Sequence, residues 1–213
     1  MAETRITSGA WRGRAVDTPR GERTMRPTSS LVRKALFDIL GNIIEGAAFV
    51  DVFAGTGAVG LEALSRGARR VTAVEKDRAL CRLISGSADR LGATSLRVVP
   101  ADAVAWLRSR PADISGADVI FLDAPYKDDV LLTALEVLGA DAPPSRDASP
   151  AQIVVCEHHR ARRLPEIVGS LLRRREAHYG TSQLTFYKRQ DDSSEAPPVG
   201  QDRMLNAAAG PQT

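Results

Sequence analysis

Short apolar runs alternate with segments of helical periodicity along most of the chain. The runs in "AFVDVFAG" and "RVTAVEKD" are typical of buried strands, and "GAVGLEALSRGA" between them has the apolar spacing of a helix. Further strands are predicted in "LRVVPADA", "ADVIFLDAPY" and "AQIVVCEH", and further helices in "SSLVRKALFDILGNI", "DRALCRLISGSADRLG", "VAWLRSR", "DVLLTALEVLGA" and "LPEIVGSLLRR". Strands that alternate with helices predict an α/β fold, with a mostly parallel sheet covered by helices on both faces.

The two ends of the chain differ from this central pattern. Residues 1–28 are rich in Gly, Arg and Thr, and their short β-like pieces, "TRITSG" and "GRAVDT", predict a small basic β appendage. Residues 29–190 form the predicted main domain, which closes with a hairpin in "REAHYGTSQLTFYKR". A loop is predicted at 141–151. The segment 191–213 is poor in large apolar residues and is predicted to be a disordered tail.

Composition excludes several classes of protein. The 213 residues are 43% hydrophobic and 26% charged, as expected for a globular protein with one main domain. No apolar stretch approaches the roughly 20 residues of a membrane helix, and the N-terminus lacks the apolar core of a signal peptide. Cys81 and Cys156 lie far apart in apolar segments and are predicted to be buried, reduced thiols. We therefore expect a cytoplasmic protein without membrane contact.

Positive charge is concentrated at the start of the chain. Residues 1–34 contain eight basic and three acidic residues, a surplus that exceeds the net charge of +3 of the whole chain. Seven of these eight basic residues are Arg, whose planar guanidinium suits phosphate groups. This segment is therefore predicted to bind a polyanion. A later basic group, "RARR" at 160–163 and "RRR" at 173–175, is interpreted as a solvated face.

A glycine-rich loop follows the first strand of the main domain. "VDVFAGTGAVG" places Gly55, Gly57 and Gly60 in the pattern G-x-G-x-x-G, and Glu75 ends the next strand 20 positions after Gly55. Glycines in such a turn let a ligand approach the backbone closely, and an acid at the next strand end can bind ribose hydroxyls. The pattern predicts a site for a nicotinamide dinucleotide or for S-adenosylmethionine.

Two further acids bear on the choice between these cofactors. Asp51 lies at the strand end before the glycine loop, where it is awkward beside a pyrophosphate but suits an ammonium or sulfonium charge. Asp102 follows the third strand of the main domain, where it could accept from an adenine amine or cap the next helix. Asp51 therefore favours S-adenosylmethionine, whereas Asp102 is compatible with either a binding or a capping role.

The stretch "VIFLDAPYKDD" ends the fourth strand with Asp123, Ala124, Pro125 and Tyr126. Asp and Pro are ordinary turn residues, so the stretch could be a simple strand cap. Because parallel strands end at the same edge of a sheet, it is predicted to open beside the glycine loop. There Asp123 and a carbonyl fixed by Pro125 could accept from an exocyclic base amine, while Tyr126 stacks on the extruded base. Such contacts would free the amine lone pair for attack on a sulfonium methyl group.

Seven motifs extend over residues 5–189. They are "RITSGAWRGR", "MRPTSSLVRKALFDIL", "VDVFAGTGAVGLEALSRGA", "VTAVEKD", "PADA", "FLDAPY" and "YGTSQLTFY". Together they resemble the motifs of the bacterial 16S ribosomal RNA guanine-N2 methyltransferases, which have the Rossmann-like class I methyltransferase fold. The resemblance implies methyl transfer from S-adenosylmethionine to N2 of one guanine in small-subunit rRNA, on an assembled or partly assembled 30S particle.

The resemblance also implies roles for individual residues. For the cofactor it implies Asp51, Gly55 and Gly57 at the methionine end, Glu75 at the ribose, and Asp102 with Ala103 at the adenine, with Phe53 and Lys76 completing the site. For catalysis it implies Asp123, Pro125 and Tyr126. For contact with RNA it implies Arg5, Trp11, Arg12, Arg14, Arg26 and Arg33.

The catalytic motif departs from the family at one position, because the usual sequence is D-P-P-Y and this chain has Ala124 in place of the first Pro. The acid, the second Pro and the aromatic residue are present, so we expect the chemistry to survive with a less rigid turn. Three other hypotheses stay open: an adenine-N6 or cytosine-N4 nucleic-acid methyltransferase, an NAD-dependent oxidoreductase, and a non-catalytic RNA-binding ribosome-assembly factor. We expect a monomer without a metal, since "CEHH" at 156–159 has no second cysteine at zinc-finger spacing.

Overall fold

A computed structural model describes residues 4–19, 29–125, 129–140 and 152–189. Its strands are β1 (Thr4–Arg5), β2 (Ala15–Val16), β3 (Ala48–Asp51), β4 (Arg70–Glu75), β5 (Leu96–Pro100), β6 (Val119–Leu122), β7 (Ile153–His159), β8 (Ile167–Val168), β9 (Leu171–Tyr179) and β10 (Ser182–Arg189). Its helices are α1 (Ser30–Leu40), α2 (Ala58–Ser65), α3 (Arg78–Leu91), α4 (Ala103–Arg108), α5 (Ala112–Ser115) and α6 (Val130–Gly139). The predicted loop at 141–151 and the predicted tail at 191–213 lie outside the described residues.

The central sheet has eight strands in the order β5-β4-β3-β6-β7-β10-β9-β8. Strands β3 to β7 pair in parallel, whereas β10 runs antiparallel to β7 and β9, and β8 runs antiparallel to β9. One face of the sheet packs against α4 and α6, and the other packs against α1 and α2. This arrangement confirms the predicted Rossmann-like α/β fold with its closing hairpin.

The order of the strands creates a crevice between β3 and β6. After β3 the chain adds β4 and β5 on one side, then returns to place β6 and β7 on the other side. Connections that leave adjacent parallel strands in opposite directions open a crevice at the carboxyl ends of those strands. The glycine loop follows β3, and Asp123 follows β6, so both lie at this switch point.

Helix α1 forms as its sequence predicts and covers the middle of the sheet. The Ser29 side chain accepts a hydrogen bond from the Val32 backbone N–H, which satisfies one of the free donors at the start of the helix. The apolar face of the helix includes Leu36 and Phe37, and both pack in one cluster with Phe49 of β3 and Phe121 of β6. The helix thus attaches the preceding chain to the two strands that flank the crevice.

The helix predicted in "LPEIVGSLLRR" is wrong, because this segment contains β8 and the start of β9. Val168 pairs with Leu171 across a tight antiparallel turn. Gly169 in that turn has a φ of +54°, and a Cβ atom there would lie only 2.0 Å from the carbonyl oxygen of Gly139. Leu164, Val168 and Leu171 are all buried, so their helix-like spacing predicted the burial correctly but not the backbone.

The N-terminal segment forms the predicted hairpin, in which β1 and β2 pair antiparallel. The hairpin packs on α2 through a buried carboxylate and a serine. Glu62 accepts hydrogen bonds from the backbone N–H groups of Thr7 and Ser8 at 2.8 and 3.0 Å. Ser65 accepts from the Trp11 N–H at 2.9 Å and donates to the Ser8 carbonyl at 2.7 Å. The hairpin is therefore packed on the α1–α2 face of the protein.

Both cysteines are buried and free, as predicted. In the described ranges of the chain, no helix combines the length and the apolar character that a membrane span needs.

Candidate active site

The glycine loop is shaped by two left-handed glycines. Gly55 and Gly57 have φ values of +54° and +75°, and Gly57 is the residue that caps the start of α2. A side chain at Gly57 is excluded by packing as well, since its Cβ would lie 2.9 Å from Cγ2 of Ile84. The loop therefore presents bare backbone at the crevice, which allows a ligand to approach closely.

Glu75 is fixed beside this loop by the backbone. Its Oε2 accepts a hydrogen bond from the Gly55 N–H at 2.9 Å, and its Oε1 accepts from the Asp77 N–H at 2.8 Å. Each carboxylate oxygen retains a further lone pair for a ligand. Glu75 thus lies beside the glycine loop, and its contact with a ribose stays a prediction.

Asp51 is buried beneath the loop, in surroundings that disfavour its charged form. Only 1% of its surface is exposed, and among the described residues neither carboxyl oxygen has a partner in hydrogen-bonding geometry. Burial raises the pKa of Asp51 to about 8, and the nearby carboxylates of Asp123 and Glu75 add to the rise. The nearby backbone N–H groups of Gly60 and Phe53, although outside hydrogen-bonding geometry, lower the pKa in part. A cationic ligand would stabilise the ionised form of this group.

Asp123 leaves β6 next to the glycine loop. The Val52 N–H donates to the Phe121 carbonyl at 3.0 Å, so the backbone preceding the loop is bonded directly to the strand that ends before Asp123. Asp123 is half-buried and Pro125 is exposed, while Tyr126 lies outside the described residues. Ala124 is buried in the apolar cluster on the α4–α6 face. The position at which this chain departs from D-P-P-Y therefore contributes to the core.

The remaining predicted cofactor residues surround Glu75 and the glycine loop. Oδ1 of Asp102 accepts from the Ala105 N–H at 2.9 Å, which confirms that Asp102 caps α4; its contact with adenine stays a prediction. The Ala101 N–H donates to the Glu75 carbonyl at 3.1 Å and joins this loop to the end of β4. Ala103 is buried, Phe53 is half-buried against the core, and Lys76 is exposed.

Sequence analysis missed the position of Glu157, which it had considered only as part of "CEHH". Phe121 of β6 pairs with Val155 of β7, and both face the cluster under α1 and α2. Side chains alternate between the faces of a sheet, so Asp123 and Glu157 are the next positions on that same face. Glu157 is buried, with 3% of its surface exposed. The register of two parallel strands, which sequence alone does not give, brings this second acid beside Asp123.

The neighbouring His158 belongs to the protein interior. It is fully buried, and its Nε2 lies 2.8 Å from the Thr185 hydroxyl. Burial lowers its pKa, which favours the neutral ring. Among the described residues, no three His, Cys, Asp or Glu side chains are grouped as a metal site.

The predicted RNA-binding residues of the hairpin differ in exposure, and Arg14 lies away from the crevice. Arg5, Arg12 and Arg14 are exposed, whereas Trp11 is half-buried against the apolar cluster under the hairpin. Arg14 donates from Nη2 to the carbonyl of Arg90, in the last turn of α3. Helix α3 begins at the crevice and is about 20 Å long, so Arg14 lies near its far end. Arg26 lies outside the described residues.

The prediction that Arg33 contacts RNA needs correction, because the structure places this residue in the interior. Only 1% of its side chain is exposed, and its Nε lies 3.3 Å from Oε2 of the equally buried Glu62. Its Nη2 donates to the carbonyl of Arg5. Its charge is therefore used within the protein, where it connects α1, α2 and the hairpin.

Comparisons with known proteins agree with this geometry. A family model described as "Conserved hypothetical protein 95" matches residues 4–188. The Bacillus subtilis protein named "Putative rRNA methyltransferase YlbH" is 32% identical over 187 residues, which cover 87% of this chain and 99% of that protein. The Escherichia coli protein "Ribosomal RNA small subunit methyltransferase D" is 36% identical over 136 residues, or 64% of this chain and 67% of that protein.

Solved structures give the same result for the fold. The structure described as "Putative methyltransferase yhhF from Escherichia coli" superposes with a TM-score of 0.74 at 29% identity, over 89% of this chain and 99% of that chain. A Thermus protein described as hypothetical superposes with a TM-score of 0.70 at 31% identity, over 86% of this chain and 98% of that one.

Proposed function

The chain belongs to the family described as conserved hypothetical protein 95, and from this membership we propose that it is an rRNA methyltransferase. In this proposal it transfers a methyl group from S-adenosylmethionine to the exocyclic N2 of a guanine in 16S rRNA. The substrate is an assembled or partly assembled 30S particle. The names of the relatives in Bacillus subtilis and Escherichia coli support methylation of rRNA. The choice of base rests on the site itself.

The residues at the crevice fit S-adenosylmethionine. This molecule supplies an electrophilic methyl group on a positively charged sulfur and also carries an ammonium group. Asp51 offers a buried carboxylate to that positive charge, and the neighbouring Asp123 and Glu75 make the site more favourable for a cation. Glu75 would hold the ribose hydroxyls, and the loop from Gly55 to Gly57 would accommodate the chain of the methionine end. A pyrophosphate would meet the same carboxylates with repulsion.

The observation that carries the catalytic proposal is the position of Asp123 at the switch point, next to the glycine loop. A half-buried carboxylate there accepts a hydrogen bond from an amine, and Pro125 restricts the backbone that follows it. The amine of a nucleobase is a weak nucleophile because its lone pair is delocalised into the ring. Acceptors that hold both of its hydrogens favour the pyramidal amine and direct its lone pair toward the methyl group.

Two acids on one face of the sheet favour guanine among the possible bases. Guanine presents its N1–H and its N2 amine side by side, so its edge carries adjacent donors. Adenine and cytosine present a donor amine beside a ring nitrogen that accepts. An ionised carboxylate has only acceptor oxygens and donates no hydrogen bond. Asp123 and Glu157, at neighbouring positions on β6 and β7, therefore suit the donor pair of guanine.

The test uses 30S particles purified from a host in which the gene is deleted. The protein is incubated with these particles and S-adenosylmethionine labelled in the methyl group, and the nucleosides of 16S rRNA are separated. We expect label in N2-methylguanosine, and at least a 100-fold lower rate for Asp123→Asn. Asp89→Asn, an exposed acid on α3, is the matched control and should retain the wild-type rate.

The other outcomes separate the remaining hypotheses. Label in N6-methyladenosine or N4-methylcytidine would keep the mechanism but contradict the choice of guanine. Absence of label, with cofactor binding retained in calorimetry, would favour a non-catalytic assembly factor. Binding of NAD in place of S-adenosylmethionine would overturn the methyltransferase proposal.

A further inference from the structure

We propose that the turn after β7, residues 159–163, is a phosphate-binding surface that holds the RNA backbone next to the reacting base. The identity of the partner as RNA rests on the function proposed above. The turn carries the basic group "RARR", and its position in the fold gives those charges a role that their sequence alone did not indicate.

The turn lies at the same edge of the sheet as Asp123. Strands β6 and β7 are parallel neighbours, and Leu122 pairs with Cys156. Asp123 follows Leu122 directly, and Arg160 comes four residues after Cys156, one residue beyond the end of β7. With strands about 4.8 Å apart and a rise of about 3.3 Å per residue, the two backbone positions are roughly 11 Å apart. A nucleotide bound at Asp123 would therefore have its neighbouring phosphates within reach of long side chains from this turn.

The turn is held by two hydrogen bonds within it and by one to the β9–β10 connection. Within it, the Arg162 N–H donates to the His159 carbonyl at 2.9 Å, and the Ala161 N–H donates to Nδ1 of His159 at 3.2 Å. The Arg160 N–H donates to the Thr181 carbonyl at 2.9 Å. These bonds fix the turn against the β9–β10 connection, so its side chains project from a rigid base.

Arg162 differs from its neighbours because its charge is paired with an acid of the same chain. Its side chain is 24% exposed and donates from Nη2 to Oδ1 of Asp129 at 2.9 Å. Asp129 precedes α6, so this ion pair joins the turn to the chain that follows the catalytic residues. Arg162 therefore supports the turn, and the ligand-facing charges must come from other residues.

Arg160 and Arg163 carry the positive charges that can face a ligand. Both are exposed, and among the described residues neither guanidinium group makes a hydrogen bond or an ion pair. Leu164, immediately after Arg163, is buried and anchors this end of the turn. Two unpaired guanidinium groups on a rigid base, at the edge where the base reacts, are suited to contact consecutive phosphates.

Arg12 and Arg14 of the hairpin cannot provide this contact. Arg14 lies near the end of α3 that is about 20 Å from the crevice, and Arg12 is in the same tight turn between β1 and β2. Those residues can bind a more distant part of a large RNA. The phosphates beside the reacting base need cations at the crevice itself, and Arg160 and Arg163 are at its rim.

The experiment compares Arg160→Gln/Arg163→Gln with the control Arg70→Gln/Arg108→Gln. The control removes the same charge from exposed positions, at the start of β4 and the end of α4. Binding of each protein to 30S particles and to naked 16S rRNA is measured over a range of salt concentrations. The plot of log K against log salt should become shallower by about 1.4 for the test variant, as expected for two lost contacts with single-stranded phosphate. Cofactor affinity and thermal stability should match the control.

A slope equal to that of the control would overturn the proposal. A crosslinking probe at Arg163→Cys identifies the partner directly, since the native Cys81 and Cys156 are buried. Crosslinks to rRNA are expected, and crosslinks to ribosomal protein alone would assign the surface to protein and contradict the proposal. Binding does not depend on which base is methylated, so these results are independent of the proposed guanine specificity.

Discussion

The backbone N–H of Gly55 donates to Oε2 of Glu75 over 2.9 Å, which makes the glycine loop and the end of β4 a single hydrogen-bonded unit. Glu75 therefore holds the loop, and in the proposed function it also accepts hydrogen bonds from the ribose. Loss of its side chain should disturb both the shape of the loop and the contacts with the ribose.

We expect Glu75→Ala to weaken binding of S-adenosylmethionine by more than about tenfold, since a charged acceptor contributes about 1.5–3 kcal/mol. Glu75→Gln retains one acceptor oxygen and should lose less affinity. Isothermal titration calorimetry measures both variants, with Glu136→Ala on the exposed side of α6 as the control. Equal affinity of the Ala variant and the control would show that Glu75 does not contact the cofactor.

The raised pKa of Asp51 gives a prediction about stability and pH. Burial and the neighbouring acids raise the pKa to about 8, compared with about 3.9 in an unfolded chain. Between these values the folded protein retains a proton that the unfolded chain has lost, so this group makes the protein less stable as pH rises from about 4 to 8. Asp51→Asn removes this contribution, and its melting temperature should rise relative to wild type as pH increases. A difference in melting temperature between Asp51→Asn and wild type that is the same at pH 5, 6.5 and 8 would contradict the assignment.

The raised pKa of Asp51 also predicts that cofactor binding releases a proton. A cation beside Asp51 lowers the pKa of the carboxyl group, so the affinity for S-adenosylmethionine should increase as pH rises toward about 8. Calorimetry near pH 7 in buffers of different ionisation enthalpy would detect the released proton. Asp51→Asn should abolish the release, and release that persists in this variant would assign the proton to another group.

Glu62 connects the hairpin, α1 and α2, and its loss should be costly. Its carboxylate accepts from Thr7 and Ser8 and lies against the buried guanidinium of Arg33. Removal of one partner of a buried ion pair typically costs about 3–5 kcal/mol, because the other charge is left uncompensated. We expect Glu62→Ala to lose about this much free energy of unfolding in urea. Glu136→Ala is again the exposed control, and a loss below about 1 kcal/mol would show that the hairpin is not held through this carboxylate.

The sequence was most informative for residues whose place in the fold follows from the strand next to them. The glycine loop and Asp123 follow strands and Glu75 is the last residue of one, and strand ends were visible as the limits of apolar runs. Arg33 could not be interpreted in the same way, because its partner Glu62 is distant in the chain and its role depends on how α1 packs on α2. The prediction of a helix from Leu164 to Leu171 was wrong for a related reason. Close contact with Gly139 imposes a turn there, and the local apolar periodicity does not indicate it.

The most specific prediction concerns Glu157 and the identity of the base. 2-Aminopurine retains the exocyclic N2 amine of guanine but has an accepting N1 in place of N1–H. If the carboxylate of Glu157 accepts from N1–H, the wild-type protein should prefer guanine to 2-aminopurine at the target position of the 30S particle. Methylation of 2-aminopurine should be about 10- to 100-fold less efficient, because its N1 and the carboxylate are both acceptors. Glu157→Gln offers an N–H donor at this position, so the preference for guanine should fall by about tenfold or more. If Glu157 has a purely structural role, Glu157→Gln should lower the rates on guanine and on 2-aminopurine together and leave their ratio unchanged. That result would show that Glu157 does not select the base.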